Sequence, residues 1–371
     1  MKKIKTLLFS AIALSVLTSC GTEESKNIFI SEAYVGSSPF NSALEITSYE
    51  KEISGYKLNV YKGKDVIFSI SLDDKFKDET YVIANKSANE EIKKVADEVL
   101  NDDYFFGFNY IEVSKGDKVI DSIGNKKYET NYISGGSLIR NELNQKPMAS
   151  FDQLAWYKVK EGVYKYLGNV EVPITYEDFI KGPKLTPKYT DESVLFSNGK
   201  IPLGGITETK VSSLGDGDTT NFVYDATSGL SGVFRTRYYL INTPEIDHGP
   251  GSSIVPEPFG QEAKRFTNSR LNKAKHILLQ SAFGGQLHET YGRNLAFVWY
   301  TEKENPEFSD YVLLNYEVVL NGLATFDTRS KLEEMYDDEI LYYSYFEYAV
   351  ELAKTQKIKI WGETDPEFDY N

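Results

Sequence analysis

Residues Phe234–Glu245 read FRTRYYLINTPE. Aromatic and β-branched residues run through it to Ile241, and such side chains suit a half-buried pleated strand. Asn242-Thr243-Pro244 then breaks the run, because these residues favour turns and Pro has no N–H for a ladder. A strand end that feeds a loop is a good place for a working side chain, since a rigid element positions it where solvent can reach it.

Working outward, 206–225 (ITETKVSSLGDGDTTNFVYD), KHILLQ (275–280) and RNLAFVWY (293–300) also read as strands. PFGQEAKRFTNSRLNKA (258–274) reads as an amphipathic helix, and helices are expected around NYEVVLNGLA (315–324) and up to AVELAKTQ (349–356). Five strands with a few helices predict a small OB-fold β-barrel decorated with helices.

Upstream, 28–169 reads strand after strand: NIFISEAYV, ALEITSY, YKLNVYKG, VIFSISL, TYVIANK and NYIEVSKGDKVIDSIG alternate apolar and polar residues between turn formers. Lys-Gly-Asp at 115–117 is a predicted hairpin loop, and 89–100 (NEEIKKVADEVL) a predicted helix with Ile92, Val95 and Val99 near one face. Short strands at this spacing indicate a second, all-β sandwich domain. IFISEAYVG, ALEITS, SGYKL, IEVSKGDKVIDSIG with SLIRN, then DQLAWYKV and YLGN, make it resemble the lamin tail domain, an immunoglobulin-like sandwich. That resemblance implies a fold and no chemistry; Arg140 and Glu45 are candidate surface contacts that read more simply as scaffold charges. A proline-rich connector, 170–204, is expected to pack across the surface, and 363–371 to form a C-terminal tail.

The N-terminus, MKKIKTLLFSAIALSVLTSC, has three lysines, a short apolar run and then Cys20. This is the layout of a secretory signal peptide over 1–19, too short to span a bilayer permanently. LTSC resembles a bacterial lipobox, which implies lipidation of Cys20, a tether over 20–27 and a protein held on the extracellular face of the cell membrane. Cys20 is the only cysteine of the chain, which excludes disulfides and cysteine metal sites. The net charge of −14 argues against bulk electrostatic capture of polyanions but leaves room for a local basic site.

The three histidines, His248, His276 and His288, lack helical metal-ligand spacing, and neither a Gly-x-Ser-x-Gly elbow nor a phosphate-binding Gly-x-x-x-x-Gly-Lys loop occurs. What remains is a set of carboxylates and arginines at turns: Asp216 and Asp218 in GDGD, Arg237, Glu245 and Arg293. Carboxylates and carbonyls suit a hard cation such as Ca²⁺. Paired arginine forks suit a phosphodiester, whose negative charge grows in the transition state. A nearby glutamate can activate water.

The order GDGDT, FRTRYYLINTPE, EPFGQEAKRF, YGRNLAFVWY, NYEVVLNGLA, KIKIWG resembles the staphylococcal nuclease (thermonuclease) family over about 207–362, within a domain of 205–362. The resemblance implies Ca²⁺-dependent hydrolysis of DNA and RNA phosphodiesters. It implies Asp218 and the Thr243 carbonyl as metal ligands, with Asp216 close behind. Arg237 would bind the scissile phosphate, Arg293 the pentacoordinate phosphorus, and Glu245 would be the general base. Tyr291 would line the nucleotide pocket. The family has Asp where this chain has Asn242, so the second metal carboxylate becomes an amide, and a catalytically weakened nuclease-fold binding or structural protein is the alternative. Arg237 and Arg293 are expected to matter little to stability. Lys264, Arg265, Arg270, Lys273 and Lys275 form a basic group on and after the helix, read as a solvated face that could also assist a nucleic-acid strand.

Overall fold

The computed structural model describes residues 28–50, 53–104, 106–107, 109–127, 132–133, 135–169, 171–186, 205–224, 232–281, 288–289, 291–327, 335–337 and 339–370. The leader, Cys20, the tether and connector residues 187–204 lie outside them. Among the described residues no helix is long and apolar enough to cross a membrane.

The N-terminal half builds β1 Phe29–Val35, β2 Ser42–Thr47, β3 Tyr56–Lys62, β4 Asp65–Ser71, β5 Thr80–Ala84, helix α1 Glu90–Val95, β6 Glu98–Val99, β7 Tyr110–Lys115, β8 Lys118–Ile123, β9 Gly136–Arg140 and β10 Trp156–Lys160. One sheet has the order β4-β3-β7-β8, and the other contains β10-β9-β1-β2-β5-β6. Ile30, Leu44 and Ile46 of one sheet and Leu58, Val60, Ile111 and Val113 of the other share one buried core. The β7–β8 hairpin turns at Gly116, whose φ of 58° suits glycine.

The predicted helix 89–100 is half right. Asn89 caps α1 through its side chain, which accepts the Ile92 N–H, and Ile92 is buried. Ala96 is then extended, Asp97 N–H donates to the Val82 carbonyl, and Glu98–Val99 pairs in parallel with β5. Val95 and Val99 are consequently 41% and 43% exposed. An open sheet edge took the backbone hydrogen bonds that periodicity assigned to a helix.

Arg140 and Glu45 are no surface contacts: they are 0% and 2% exposed. Arg140 donates to Asp121 at 2.6 Å and stacks 4.2 Å from the Trp156 ring, while Asp121 also accepts the N–H groups of Ile30 (2.8 Å) and Met148 (2.6 Å). Glu45 faces Glu32 across the β1–β2 ladder. It accepts from Ser31 Oγ at 2.5 Å and from the Gly168 N–H at 2.6 Å; Glu32 accepts from Ser137, and its other oxygen has no hydrogen-bond partner among the described residues.

Burial raises both carboxyls, Glu45 to about 7 and Glu32 well above the usual range with Glu45 adding to the shift. Both are protonated more readily in the fold than in the unfolded chain, near 4.3. Stability therefore falls as pH rises from about 4.3 through 7. Glu45→Gln should flatten that fall. Urea midpoints at pH 5 and pH 8 check it, and parallel profiles for parent and variant would contradict it.

The C-terminal half adds helix α2 Tyr176–Lys181, β11 Ile206–Leu214, β12 Thr219–Tyr224, β13 Val233–Tyr238, β14 Ile241–Asn242, α3 Gly260–Lys273, β15 His276–Gln280, β16 Asn294–Thr301, β17 Val312–Leu313, α4 Leu314–Leu320, β18 Thr325–Phe326, β19 Tyr336–Asp337, β20 Ile340–Leu341 and α5 Tyr342–Gln356. The order β13-β12-β11-β15-β16 closes on itself because β13 also pairs with β16, Thr236 opposite Asn294. A five-stranded barrel results, and closure removes its edges, as in an OB-fold.

The two halves are continuous. β20 pairs with β10, Ile340 opposite Val159, so the β19–β20 hairpin extends the N-terminal sheet. The described part of the connector, 171–186, lies on the surface and is anchored by a few buried residues, among them Ile174, Phe179 and Leu185. Phe179 of α2 is fully buried, lies 4.1 Å from the Tyr348 ring and accepts the Tyr316 hydroxyl on its carbonyl at 2.8 Å. The tail also packs back, with Asp365 accepting the Phe259 N–H at 2.6 Å just before α3.

Candidate functional site

The strand run that opened the reading stops for a visible reason. Tyr239 and Leu240 form a turn with Leu240 at φ 65°, and Asn242 resumes in the short strand β14 against Thr325. A non-glycine residue at positive φ is strained, and such strain is held where the surroundings over-determine it. Here the Tyr239 N–H donates to Ala296, and the Leu240 carbonyl accepts from Asp327.

The Asp-Gly-Asp loop lies against α3. Thr267 Oγ1 donates to the Gly217 carbonyl at 2.7 Å, and a Cβ at Gly217 would meet Ala263 and Thr243 atoms at 2.8 Å. Only glycine lets the loop approach this closely. Gly260 does the same for the other wall, where a Cβ would lie 2.3 Å from the Glu245 carbonyl oxygen. The Glu245 N–H and carbonyl are further tied to Glu257 at 3.0 and 2.9 Å.

Between these elements lies a cleft of about 1120 Å³, lined among others by Asp216, Asp218, Arg235, Arg237, Asn242, Glu245, His248, Glu289, Tyr291 and Arg293. Seven of the sequence-derived residues thus meet at one opening. Thr243 stands behind them, 3% exposed, with its N–H and Oγ1 donating to Asp218 Oδ2 at 2.7 and 2.9 Å. Tyr291 is 86% exposed at the rim. None of the five basic residues of the α3 region lines the cleft, and Arg265, Arg270 and Lys275 pair with Glu367, Glu317 and Glu304.

Asp218 does not turn to a shared ligand point with Asn242. Its Oδ1 is ion-paired to Arg237 and its Oδ2 is held by Thr243, while Asn242 Oδ1 accepts from Arg237 at 2.6 Å. With Asp218 2% exposed, a guanidinium is the counter-charge its buried carboxylate meets. Arg237 is therefore a structural partner as well as a site residue, which corrects the expectation that it is unpaired. Burial, and then the nearby Arg293, lower its pKa to about 10, so it stays charged at neutral pH.

Arg293 is paired too. Its Nε and Nη2 form a bidentate contact with Glu289, the second bond at 2.8 Å, and Nη1 donates to Thr219 Oγ1 at 3.2 Å. The pair raises the arginine pKa and lowers that of Glu289. Glu289 was missed in the sequence; it meets Arg293 across a turn, where Gly292 N–H donates to the Glu289 carbonyl, and not along a helix. His248 was set aside for lacking helical ligand spacing, and it reaches the cleft from a loop. Asp216, Glu245 and His248 each bring a ligand atom within 4.8 Å of the others.

Two carboxylates and an imidazole this close are a donor set for a divalent cation, the carboxylates suiting a hard ion and the imidazole a softer one. The triad stands beside the Asp218–Asn242–Thr243 set that the sequence suggested.

Carboxylates and two arginines thus share one barrel-end cleft. Residues 235–363 match the staphylococcal nuclease homologue family. No curated protein matches the chain. The match begins at Arg235, so the Asp-Gly-Asp loop precedes it, yet β12–β13 pairing closes that loop into the same barrel. The C-terminal staphylococcal nuclease homologue domain fits the OB-fold read from its strands, and it points to nuclease or nucleic-acid-binding function.

Proposed function

We propose that the C-terminal domain is a divalent-cation-dependent nuclease that hydrolyses DNA, and RNA as a second substrate, with Ca²⁺ as its ion. The observation that carries this reading is the meeting of Arg237, Arg293 and Glu245 with the Asp216–Glu245–His248 triad in one cleft. A bound cation would supply positive charge against the phosphate and favour ionisation of a nearby water. Asp216 and one Glu245 oxygen would hold it, leaving the other Glu245 oxygen for the water, with Asp218 and Asn242 at its border; the His248 nitrogen suits a softer ion than Ca²⁺.

Arg237 and Arg293 would grip the non-bridging oxygens of the scissile phosphate and offset charge as it accumulates. Glu245 accepts the proton of the attacking water as the water oxygen bonds to phosphorus. The bond from phosphorus to the leaving sugar oxygen breaks, and that oxygen takes a proton from solvent. Tyr291, exposed at the rim, offers a face on which a base can stack. Cleavage of a labelled oligonucleotide with Ca²⁺, and again with chelator, tests the reading.

Asn242 supports the alternative of a weakened nuclease-fold binder, because its amide lacks the charge of a carboxylate. Restoring that charge with Asn242→Asp should lower the half-maximal Ca²⁺ concentration, by about tenfold for each 1.4 kcal/mol regained. Calcium titrations of cleavage for parent and variant decide it. Identical midpoints would mean that the charge is already supplied by Asp216 and Glu245.

We further read the N-terminal half as a lamin tail-like, immunoglobulin-like spacer. The leader pattern supports lipidation of Cys20 and anchorage on the extracellular face of the membrane. Release of a Cys20→Ala variant from the membrane fraction is the corresponding check.

A further inference from the structure

One arginine of the cleft has no role in the scheme above. Arg235 lies two residues before Arg237 on β13, is exposed and lines the cleft. Among the described residues its side chain makes no hydrogen bond or ion pair. Arg237 and Arg293 by contrast are both tied to carboxylates. Arg235 acts on the Glu289 carboxylate through space without a hydrogen bond or ion pair, so in a chain of net charge −14 it stays available to an anion beside two arginines held in ion pairs.

Its surroundings form a track. Residues i and i+2 of a strand share a face, about 6.6 Å apart, and directly opposed residues of an antiparallel pair share it too. The register sets Arg237 opposite Thr219, Arg235 opposite Asn221 and Val233 opposite Val223. Inward-facing Thr220, Phe222 and Thr236 between them are fully buried, so these three rows form the outer face of the barrel.

The first row holds Arg237 and, through Thr219, Arg293. In the second, Arg235 stands beside Asn221, whose amide donates to Ser213 at 2.8 Å. The third is apolar and open, with Val233 59% and Val223 37% exposed. Two charged rows and an apolar row offer contacts to phosphates and to a sugar or base, the groups that alternate along a nucleic-acid strand.

We infer that Arg235 forms a second phosphate subsite, taking the phosphate next to the scissile one, with the Val223–Val233 row beneath the following nucleoside. This rests on the nuclease reading and makes the preferred substrate a polynucleotide rather than an isolated phosphodiester. Arg235 is a positioning residue: it touches no reacting atom.

The test uses the full chain and Arg235→Gln with two probes, a labelled single-stranded oligothymidylate and the dinucleotide TpT, which has one phosphodiester. In chelator, anisotropy should show the oligomer binding on the order of tenfold more weakly to the variant, as for loss of a charged hydrogen bond. The slope of log K against log salt should fall by about 0.7, one phosphate contact on a single strand. With Ca²⁺, the ratio of kcat/KM for oligomer over TpT should drop by a similar factor. An unchanged slope, or equal losses on both substrates, would overturn the subsite. A parent that cleaves both while Arg235→Gln behaves identically removes only this inference. A parent that neither binds nor cleaves either probe removes the nuclease reading with it.

Discussion

Arg293→Ala should lower phosphodiester cleavage by on the order of 10²-fold or more, the loss typical of removing an electrostatic stabiliser from a transition state. Its melting temperature should change little. Glu289, the carboxylate left behind, has a side chain 19% exposed, so water can solvate it. Arg293→Lys should recover only part of the rate, because an ammonium cannot reproduce a bidentate fork. Steady-state rates alongside thermal melts check both statements, and normal cleavage by the alanine variant would remove Arg293 from the chemistry. Arg237→Ala is a poorer probe. It strands the buried Asp218 carboxylate, and breaking such a pair costs about 3–5 kcal/mol of stability whatever the chemistry.

A comparable loss of stability is expected far from the cleft. Asp121→Asn keeps the size of the side chain but leaves Arg140 fully buried without its counter-charge. The change should destabilise the fold by about 3–5 kcal/mol. Asp121 also accepts two backbone N–H groups, from β1 and from the segment after β9, so the amide loses strength at a junction of both sheets. Urea unfolding measures this directly. A loss under about 1 kcal/mol would mean that Arg140 stays satisfied through the Ile30 carbonyl and the Trp156 face alone.

The barrel was legible because its signals are local. FRTRYYL and LAFVWY alternate or run apolar at strand length, and Asn-Thr-Pro marks where one of them stops. The cleft residues were legible through motif order, which fixes who meets whom at the barrel end. Partner choice inside the site was not. Whether Arg237 faces a substrate or Asp218 depends on how deeply the Asp-Gly-Asp loop sinks against α3, and Gly217, Thr243, Ala263 and Thr267 set that through a contact of three segments. The sandwich went the same way. Arg140 and Glu45 look like surface charges by residue type, since charged residues are rarely buried, and their burial follows from partners 19 and 123 residues distant. The helix at 89–100 ended early because a sheet edge, invisible to periodicity, competed for its backbone. Arg235 was passed over because an arginine on a strand is ordinarily a solvated one; only the β12–β13 register lines it up with the site.

Cation-dependent phosphodiester hydrolysis in this cleft is decided by single-turnover cleavage of labelled DNA by the full chain with Ca²⁺, with excess chelator, and with Arg293→Ala under both conditions. The parent should cleave with Ca²⁺, stop in chelator and recover when the ion is added back, and the variant should be slower by about 10²-fold or more. A folded parent that binds DNA but leaves it intact at every cation concentration would show that the cleft is no nuclease site.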